Sequence, residues 1–154
     1  DNPETAFVAN FLGQSNLIKG RIEGTDGDNL VVDLFGQKIS MPKKRSHAVD
    51  NSIYAGIRPE KFRISLVGTP TRGNTLTGGH IEDVSYIGVS TQYQVMMPWG
   101  QEVMVFEQND DGVAPFDKGD EVVISWEPTF TFALRGDEDV EAGLEVNPEE
   151  LEEE

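Results

Sequence analysis

The sequence predicts an all-β domain built from small antiparallel barrels of the OB type. About nine or ten short segments alternate apolar and polar residues, as half-buried strands do. Turn signals rich in Gly, Pro, Asn and Asp interrupt these segments about every eight to twelve residues, and no long stretch has helical periodicity. Short, evenly spaced strands joined by tight turns are typical of closed or partly open β-barrels.

A short amphipathic helix is predicted at the amino terminus. Asn2 suits a helix cap, and Pro3 suits the first helical position. Phe7 and Phe11 lie four residues apart on one face, and Gly13 can end the helix in the left-handed conformation. We expect this face to cover the rim of a barrel, because an aromatic pair at helical spacing is usually part of a core.

The period changes from helical to strand-like at about residue 14. Ile18, Gly20 and Ile22 share one face of the first strand, the pattern of a half-buried antiparallel strand. Residues 24–29 are dense in Gly, Asp and Asn, which predicts a hairpin loop. The first three predicted strands cover residues 14–23, 30–35 and 37–42.

A constrained corner is predicted at residues 56–60, Gly-Ile-Arg-Pro-Glu, at the end of a strand over 52–57. Proline fixes its own φ and disfavours the α region for Arg58, so the chain should stay extended through Arg58 and then turn. The later predicted strands cover residues 62–66, 76–86, 92–97, 102–108, 121–126 and 130–134. The alternation slips at Glu82 and Asp83, which predicts a β-bulge.

Composition excludes several kinds of site. The absence of cysteine excludes a disulfide framework, a thiolate metal site and a cysteine nucleophile, and is compatible with a reducing compartment. No apolar run approaches the roughly 18 residues of a membrane span, and the amino terminus carries no secretion-signal pattern.

The net charge of −16 is unevenly distributed. Residues 137–154 hold ten acidic residues and no basic one, which leaves 18 acidic against 12 basic residues before them. We therefore expect a folded domain over residues 1–136, with a first barrel segment in 1–50 and a second in 51–136. A disordered acidic tail is expected over residues 137–154.

No pattern in the sequence predicts catalysis. A glycine-rich phosphate loop with its lysine is missing, and so is a Gly-x-Ser-x-Gly motif. His47 and His80 have no partners at metal-binding or catalytic spacing. Glu82 and Asp83 are adjacent, so in a strand they point to opposite faces and cannot act on one bond. Residues 109–112 are acidic but lack the ligand spacing of a calcium loop, which favours a turn.

Four short motifs occur in order along the chain. They are Phe-Val-Ala-Asn-Phe-Leu-Gly at 7–13 followed by Asn16 and Gly20, Gly-Ile-Arg-Pro-Glu at 56–60, Val-Ser-Tyr-Ile-Gly at 84–88, and Gly-Asp-Glu-Val at 119–122 followed by Trp126. Together they resemble the TOBE domain that follows the ATPase domain in importer-type ABC transporters. Residues 88–93 and 108–109 look most like the polyamine branch. The motif residues expected to be structurally important are Gly13, Asn16, Gly56, Arg58, Pro59, Glu60, Gly88, Gly119, Asp120 and Trp126.

The resemblance implies two intertwined OB barrels with no catalytic activity of their own. ATP and Mg²⁺ would be bound by an ATPase domain, whose phosphate loop, signature motif and Walker B strand are missing here. No cofactor or metal is therefore expected in this chain. The implied partners are an ATPase domain in cis, a second copy of the subunit and membrane permease subunits. The implied location is the cytoplasmic face of the plasma membrane.

Three functions stay open from the sequence. The first is a regulatory and dimerisation domain, with a contact at Trp99, Val103, Val105 and Phe106, because the strand over 102–108 is apolar on both faces. The second is a sensor that binds the imported small solute, and acidic residues would attract a polyamine. The third is a free-standing OB module for nucleic acid. Net acidity and a single basic run, Lys43–Arg45, disfavour the third, so no nucleic-acid partner is expected.

Overall fold

The computed structural model of the protein describes residues 15–108 and 115–136. This part of the chain forms ten strands and three single-turn 3-10 segments. The strands are β1 (Asn16–Asp26), β2 (Asn29–Leu34), β3 (Gln37–Pro42), β4 (Ser52–Ile57), β5 (Arg63–Leu66), β6 (Asn74–Ile87), β7 (Ser90–Met96), β8 (Glu102–Gln108), β9 (Glu121–Trp126) and β10 (Phe132–Arg135). The helix predicted before Gly13, the acidic run at 109–112 and the acidic tail lie outside the described residues.

The strands form two five-stranded antiparallel sheets, in the orders β10-β4-β1-β2-β3 and β5-β9-β6-β7-β8. Each sheet consists of a three-strand meander, a fourth strand that pairs with the first strand of the meander, and a fifth strand. The fifth strand comes from the other half of the chain, since β5 joins β9 and β10 joins β4. This exchange confirms the predicted all-β fold of two intertwined OB-type barrels. Strand β4 lies in the first sheet, so the sheets do not divide at residue 50.

The predicted corner occurs twice, and at each occurrence the chain passes from one sheet to the other. Arg58 is extended, with φ −72° and ψ 143°, and a 3-10 turn follows at Pro59–Lys61, which confirms the prediction. The second corner has the same form, because Glu127 is extended with φ −71° and ψ 136° before the turn Pro128–Phe130. After each corner the chain leaves one sheet and pairs with a strand of the other.

Most strand ends differ from the sequence prediction by one to three residues, and β1 runs to Asp26, which shortens the loop predicted at 24–29. Two of the differences have a clear local cause. Strand β2 ends at Leu34, because Phe35 has a φ of 52° and forms the hairpin turn with Gly36. Strand β10 begins at Phe132, because Phe130 still belongs to the 3-10 turn. The ring of Phe130 is exposed there, and the Nζ of Lys61 lies 4.4 Å from its centroid.

One apolar core joins the two sheets. Side chains of both halves meet in it, and Trp126 and Tyr93 are the largest that are fully buried. The register of β6 against β7 shifts between Ile81 and Asp83, which confirms the predicted bulge at Glu82 and Asp83. Among the described residues, a helix with the length and apolarity of a membrane span is not found.

Two asparagine side chains bind the open edges of the sheets. Asn16 donates from Nδ2 to the Met104 carbonyl and accepts from the Met104 amide, both at 2.8 Å. Asn74 makes the same pair of 2.8 Å bonds with Ser40. Each amide thereby takes the place of a neighbouring strand at one residue of an edge strand, β8 or β3. Asn16, a motif residue, therefore holds the two halves together.

Candidate functional site

An exposed apolar patch lies at the tip of the hairpin formed by β6 and β7. Strand β6 runs beyond β9, whose first residue Glu121 pairs with His80, so the tip is paired with β7 alone on that side. Gly88 forms the turn with a φ of 62°. Ile87 and Val89 beside it are 62% and 71% exposed. We define the hairpin-tip patch as Ile87, Val89 and Phe106. Tyr86 is also exposed, but it lies opposite the buried Thr91 and so belongs to the other face of the hairpin.

Phe106 belongs to this patch through the strand register. Ile87 lies opposite Ser90, and Phe106 lies opposite Gln92. Ser90 and Gln92 are two residues apart on β7, so they share a face, and their partners share it too. This is the outer face of the second sheet, and Phe106 is 39% exposed on it. Exposed apolar side chains that lie near one another on a surface often mark a binding site.

The predicted contact surface is wrong for Val103 and Val105. Both side chains are buried in the core, because they lie opposite Val95 and Tyr93 on the inner face of β7. Strand β8 is indeed apolar on both faces, but its valines fill the barrel, and Met104 and Phe106 point outward.

Trp99 contributes to a joint between the two halves. Its half-buried ring stacks on Phe35, with centroids 4.7 Å apart and planes 10° apart. Its Nε1 donates to Gln101 Oε1 at 2.8 Å, and Gln101 Nε2 donates to the carbonyl of Leu17 at 2.7 Å. The predicted interface residue is thus engaged within the chain itself.

The motif residues at 56–60 have structural roles. A Cβ at Gly56 would collide with the ring of Phe132, which lies directly over this position. Pro59 is buried at the start of the turn. Arg58 and Glu60 form an exposed ion pair, with Nε and Oε2 2.8 Å apart. The glycine is therefore required by a close approach of β10 to β4.

The last motif fixes the start and end of β9. Gly119 adopts a φ of 93° and donates its amide to the Ile81 carbonyl at 2.8 Å. Asp120 Oδ2 accepts from the amide of Asp117 at 2.9 Å. Trp126 is fully buried, and its Nε1 donates to Thr131 Oγ1 at 2.7 Å. These contacts stabilise the turn before β9 and the corner after it.

Two polar side chains lie together on the inner face of the second barrel. Tyr93 is buried, and its hydroxyl has no hydrogen-bond partner of normal geometry among the described residues. Burial and the nearby Glu107 carboxylate raise the pKa of Tyr93 to about 12, while the Phe116 amide offsets part of this effect. Burial also raises the pKa of Glu107, whose Oε2 lies 3.4 Å from the Ile64 amide that donates to it. We call Tyr93 and Glu107 the inner polar pair.

The remaining charged candidates do not converge. Lys43–Arg45 form a 3-10 turn between β3 and β4. The Nε2 of His80 lies 3.9 Å from the Oε1 of Glu121. His47 is exposed in the segment between β3 and β4. In residues 15–108 and 115–136, His, Asp and Glu side chains nowhere form a group of three that could hold a metal ion.

A family model described as the TOBE domain matches residues 55–134. The chain belongs to the TOBE domain family. Strands β4 to β10, including both corners and the hairpin-tip patch, fall within or at the edges of the matched segment. The family predicted from the four motifs is thereby confirmed.

Curated relatives extend the match over most of this TOBE domain. The spermidine/putrescine import ATP-binding protein PotA of Rubrobacter xylanophilus is 30% identical over 137 residues, which cover 87% of this chain and 35% of the relative. The protein of the same name from Acidothermus cellulolyticus is 33% identical over 139 residues, with 87% and 35% covered. The chain spans about a third of the length of these relatives. The predicted likeness to the polyamine branch is confirmed.

A solved structure supports the fold. The cytoplasmic molybdate-binding protein ModG, with molybdate bound, superposes with a TM-score of 0.62 at 15% identity. The superposition covers 77% of this TOBE domain and 94% of the ModG chain. At this identity the likeness shows a shared fold of intertwined barrels.

Proposed function

We propose that this TOBE domain is the non-catalytic regulatory and dimerisation domain of the ATP-binding subunit of an ABC importer for polyamines or a related small solute. The observation that carries the proposal is the relation, over nearly nine tenths of the chain, to proteins named for spermidine and putrescine import. An ATPase domain of the same subunit would bind ATP and Mg²⁺. The assembled subunits would lie at the cytoplasmic face of the membrane, bound to permease subunits.

The hairpin-tip patch is the contact that the geometry supports best for a second copy of the domain. Its apolar side chains are exposed on the outer face of the second sheet and at the hairpin turn, and burying them against a partner removes apolar surface from water. A lasting contact between two such domains would keep the two ATPase domains at a high effective concentration while they separate and close in each cycle. The domain would thus contribute to transport without taking part in the chemistry.

The substitution Ile87→Asp tests this contact. We expect it to raise the dissociation constant of self-association at least ~10-fold, because an unpaired charge buried in an interface is strongly unfavourable. Sedimentation velocity of the chain over a concentration series measures this constant. Val49→Asp is the matched control, since Val49 is an equally exposed valine in the segment between β3 and β4, away from the patch. Equal effects of the two substitutions would exclude the patch as the contact.

A second candidate function is binding of the imported solute, and the inner polar pair favours it. A half-buried carboxylate of raised pKa lies beside a phenol whose hydroxyl has no hydrogen-bond partner of normal geometry among the described residues. This pair suits a primary ammonium group, which would favour the ionised carboxylate and donate hydrogen bonds to the carboxylate and the phenol oxygen. The ligand class would be a polyamine.

Calorimetry with spermidine tests the second function. We expect saturable heat that increases as the pH rises through the raised pKa of Glu107, and a loss of binding in Glu107→Gln. Glu102→Gln is the control, since Glu102 is exposed at the other end of β8. Absence of saturable heat at millimolar spermidine, or equal binding by both variants, would remove the hypothesis.

A further inference from the structure

A cationic strip crosses the outer face of the first sheet. Lys19 and Arg21 are two residues apart on β1, so both point to this face. The Nζ of Lys19 lies 5.1 Å from the centroid of the Tyr54 ring. The guanidinium of Arg21 is exposed and has no hydrogen-bond or ion-pair partner among the described residues. We call Lys19 and Arg21 the cationic strip.

Two carboxylates near the strip form ion pairs with Lys38 and not with Lys19 or Arg21. Glu23 and Asp33 both pair with Lys38, and the Asp33 carboxylate lies 3.7 Å from its Nζ. Asp33 also accepts from the Gly36 amide at 3.3 Å. Asp33 lies opposite Arg21 in the register, but its ion-pair contact is with Lys38 on β3 and not with Arg21.

A shallow concavity of about 300 Å³ lies against the strip. Its lining is Lys19, Gly20, Arg21, Asp33, Phe35 and Ser52. The ring of Phe35, held by its stack on Trp99, supplies an apolar wall that is about half exposed. The concavity therefore suits an extended segment that carries both negative charges and small apolar side chains.

The carboxyl end of the described chain lies in the same row of the sheet as this concavity. Gly136 donates its amide to the Ser52 carbonyl at 2.9 Å, and Ser52 lies opposite Arg21. Two strand spacings of about 4.8 Å place Gly136 about 10 Å from Arg21. An extended chain rises about 3.3 Å per residue, so the next few residues are long enough to reach the strip.

The residues that follow Gly136 match the concavity in chemistry. The sequence continues Asp-Glu-Asp, and residues 137–154 contain ten acidic residues and no basic one. Val140, Leu144 and Val146 alternate with glutamates in this segment. The described part of the chain is nearly balanced, with 14 acidic and 12 basic residues, so the segment holds most of the excess negative charge.

We propose that residues 137–154 bind back onto the cationic strip of the same chain, with carboxylates against Lys19 and Arg21 and small apolar side chains against Phe35. Exposed ion pairs are individually weak. The short connection through Gly136 nevertheless holds the segment at an effective concentration on the order of millimolar or above. The outer face of the first sheet is then accessible to other anionic partners only when they displace this segment.

Paramagnetic relaxation measured by NMR on the full chain tests the proposal. Because the chain has no cysteine, Asn147→Cys gives a single site for a spin label without removing an acidic or apolar residue. We expect amide signals of Lys19, Arg21 and Phe35 to lose intensity, and to recover it in about 1 M salt, where the screening length falls to about 3 Å. The salt series tests the charge dependence of the contact without any substitution in the cationic strip.

Substitutions test which residues make the contact, and a mixture of two differently labelled chains tests whether it forms within one chain. Replacing both Lys19 and Arg21 by Gln should abolish the intensity losses, whereas Lys44→Gln, an exposed lysine of the neighbouring basic turn, should leave them unchanged. No loss at the strip, or losses centred on Lys43–Arg45, would overturn the proposal. Losses that appear when a spin-labelled chain is mixed with an isotope-labelled, spin-free chain would show a contact between copies, which also overturns it.

Discussion

Replacing Trp126 with alanine is expected to lower the free energy of unfolding by about 3–5 kcal/mol, the range for truncating a large buried aromatic side chain. The indole is fully buried, meets Phe62 edge to face with centroids 5.3 Å apart, and donates to the buried Thr131 hydroxyl. It thus joins β9, the second corner and the segment before β5. Urea unfolding followed by circular dichroism measures the loss.

Two further variants make the Trp126 prediction specific. If Trp126→Ala does not fold, Trp126→Phe keeps a ring in the core but leaves Thr131 without its donor, at an expected loss of about 1–3 kcal/mol. Trp99→Ala is the matched control, and only about 1–2 kcal/mol is expected there because that ring is half-buried. Equal losses for Trp126→Ala and Trp99→Ala would contradict the assigned packing.

Replacing Gly56 with alanine is the second large expected effect, a loss of about 1–3 kcal/mol from overpacking. The added methyl group would overlap the ring of Phe132, which is itself buried. Either the ring must rotate or β10 must move away from β4, and both weaken the exchanged strand. Thermal unfolding should show a lower midpoint, by about 2–4 °C for each kcal/mol in a domain of this size.

A control and a double-mutant cycle assign this loss to the ring. A Cβ at Gly24, also in a strand of the first sheet, would have no neighbour within 4 Å, so Gly24→Ala should be nearly neutral. Phe132→Ala in the Gly56→Ala background should cost less than Phe132→Ala alone, because the overlap is then absent. Additive losses would show that the two residues do not interact.

Much of the fold follows from local sequence signals. Strand alternation and turn residues predict the meanders, and the slip at Glu82 predicts the bulge. Proline chemistry predicts the corner after Arg58. The second corner at Glu127 and Pro128 repeats this signal, so the internal duplication could have been recognised from the sequence. The exchange of β5 and β10 could not, because long-range pairing is decided by which edges remain open in the folded barrels.

The candidate site was less predictable for a related reason. Alternation shows that β8 has two apolar faces, but it does not show which face fills the barrel, so Val105 and Phe106 could not be distinguished. Tyr86 and Ile87 lie within a motif, yet their exposure depends on how far β6 runs beyond β9. The position of Gly136 beside the cationic strip likewise depends on the pairing of β10 with β4.

Sedimentation velocity on the whole ATP-binding subunit, compared with the same subunit lacking this TOBE domain, tests the central claim most directly. We expect the intact subunit to be a dimer in the absence of ATP, and the shortened subunit to be a monomer over the same concentrations, because the ATPase domains alone would have no lasting contact. An unchanged monomer–dimer equilibrium after removal of the domain would contradict the account.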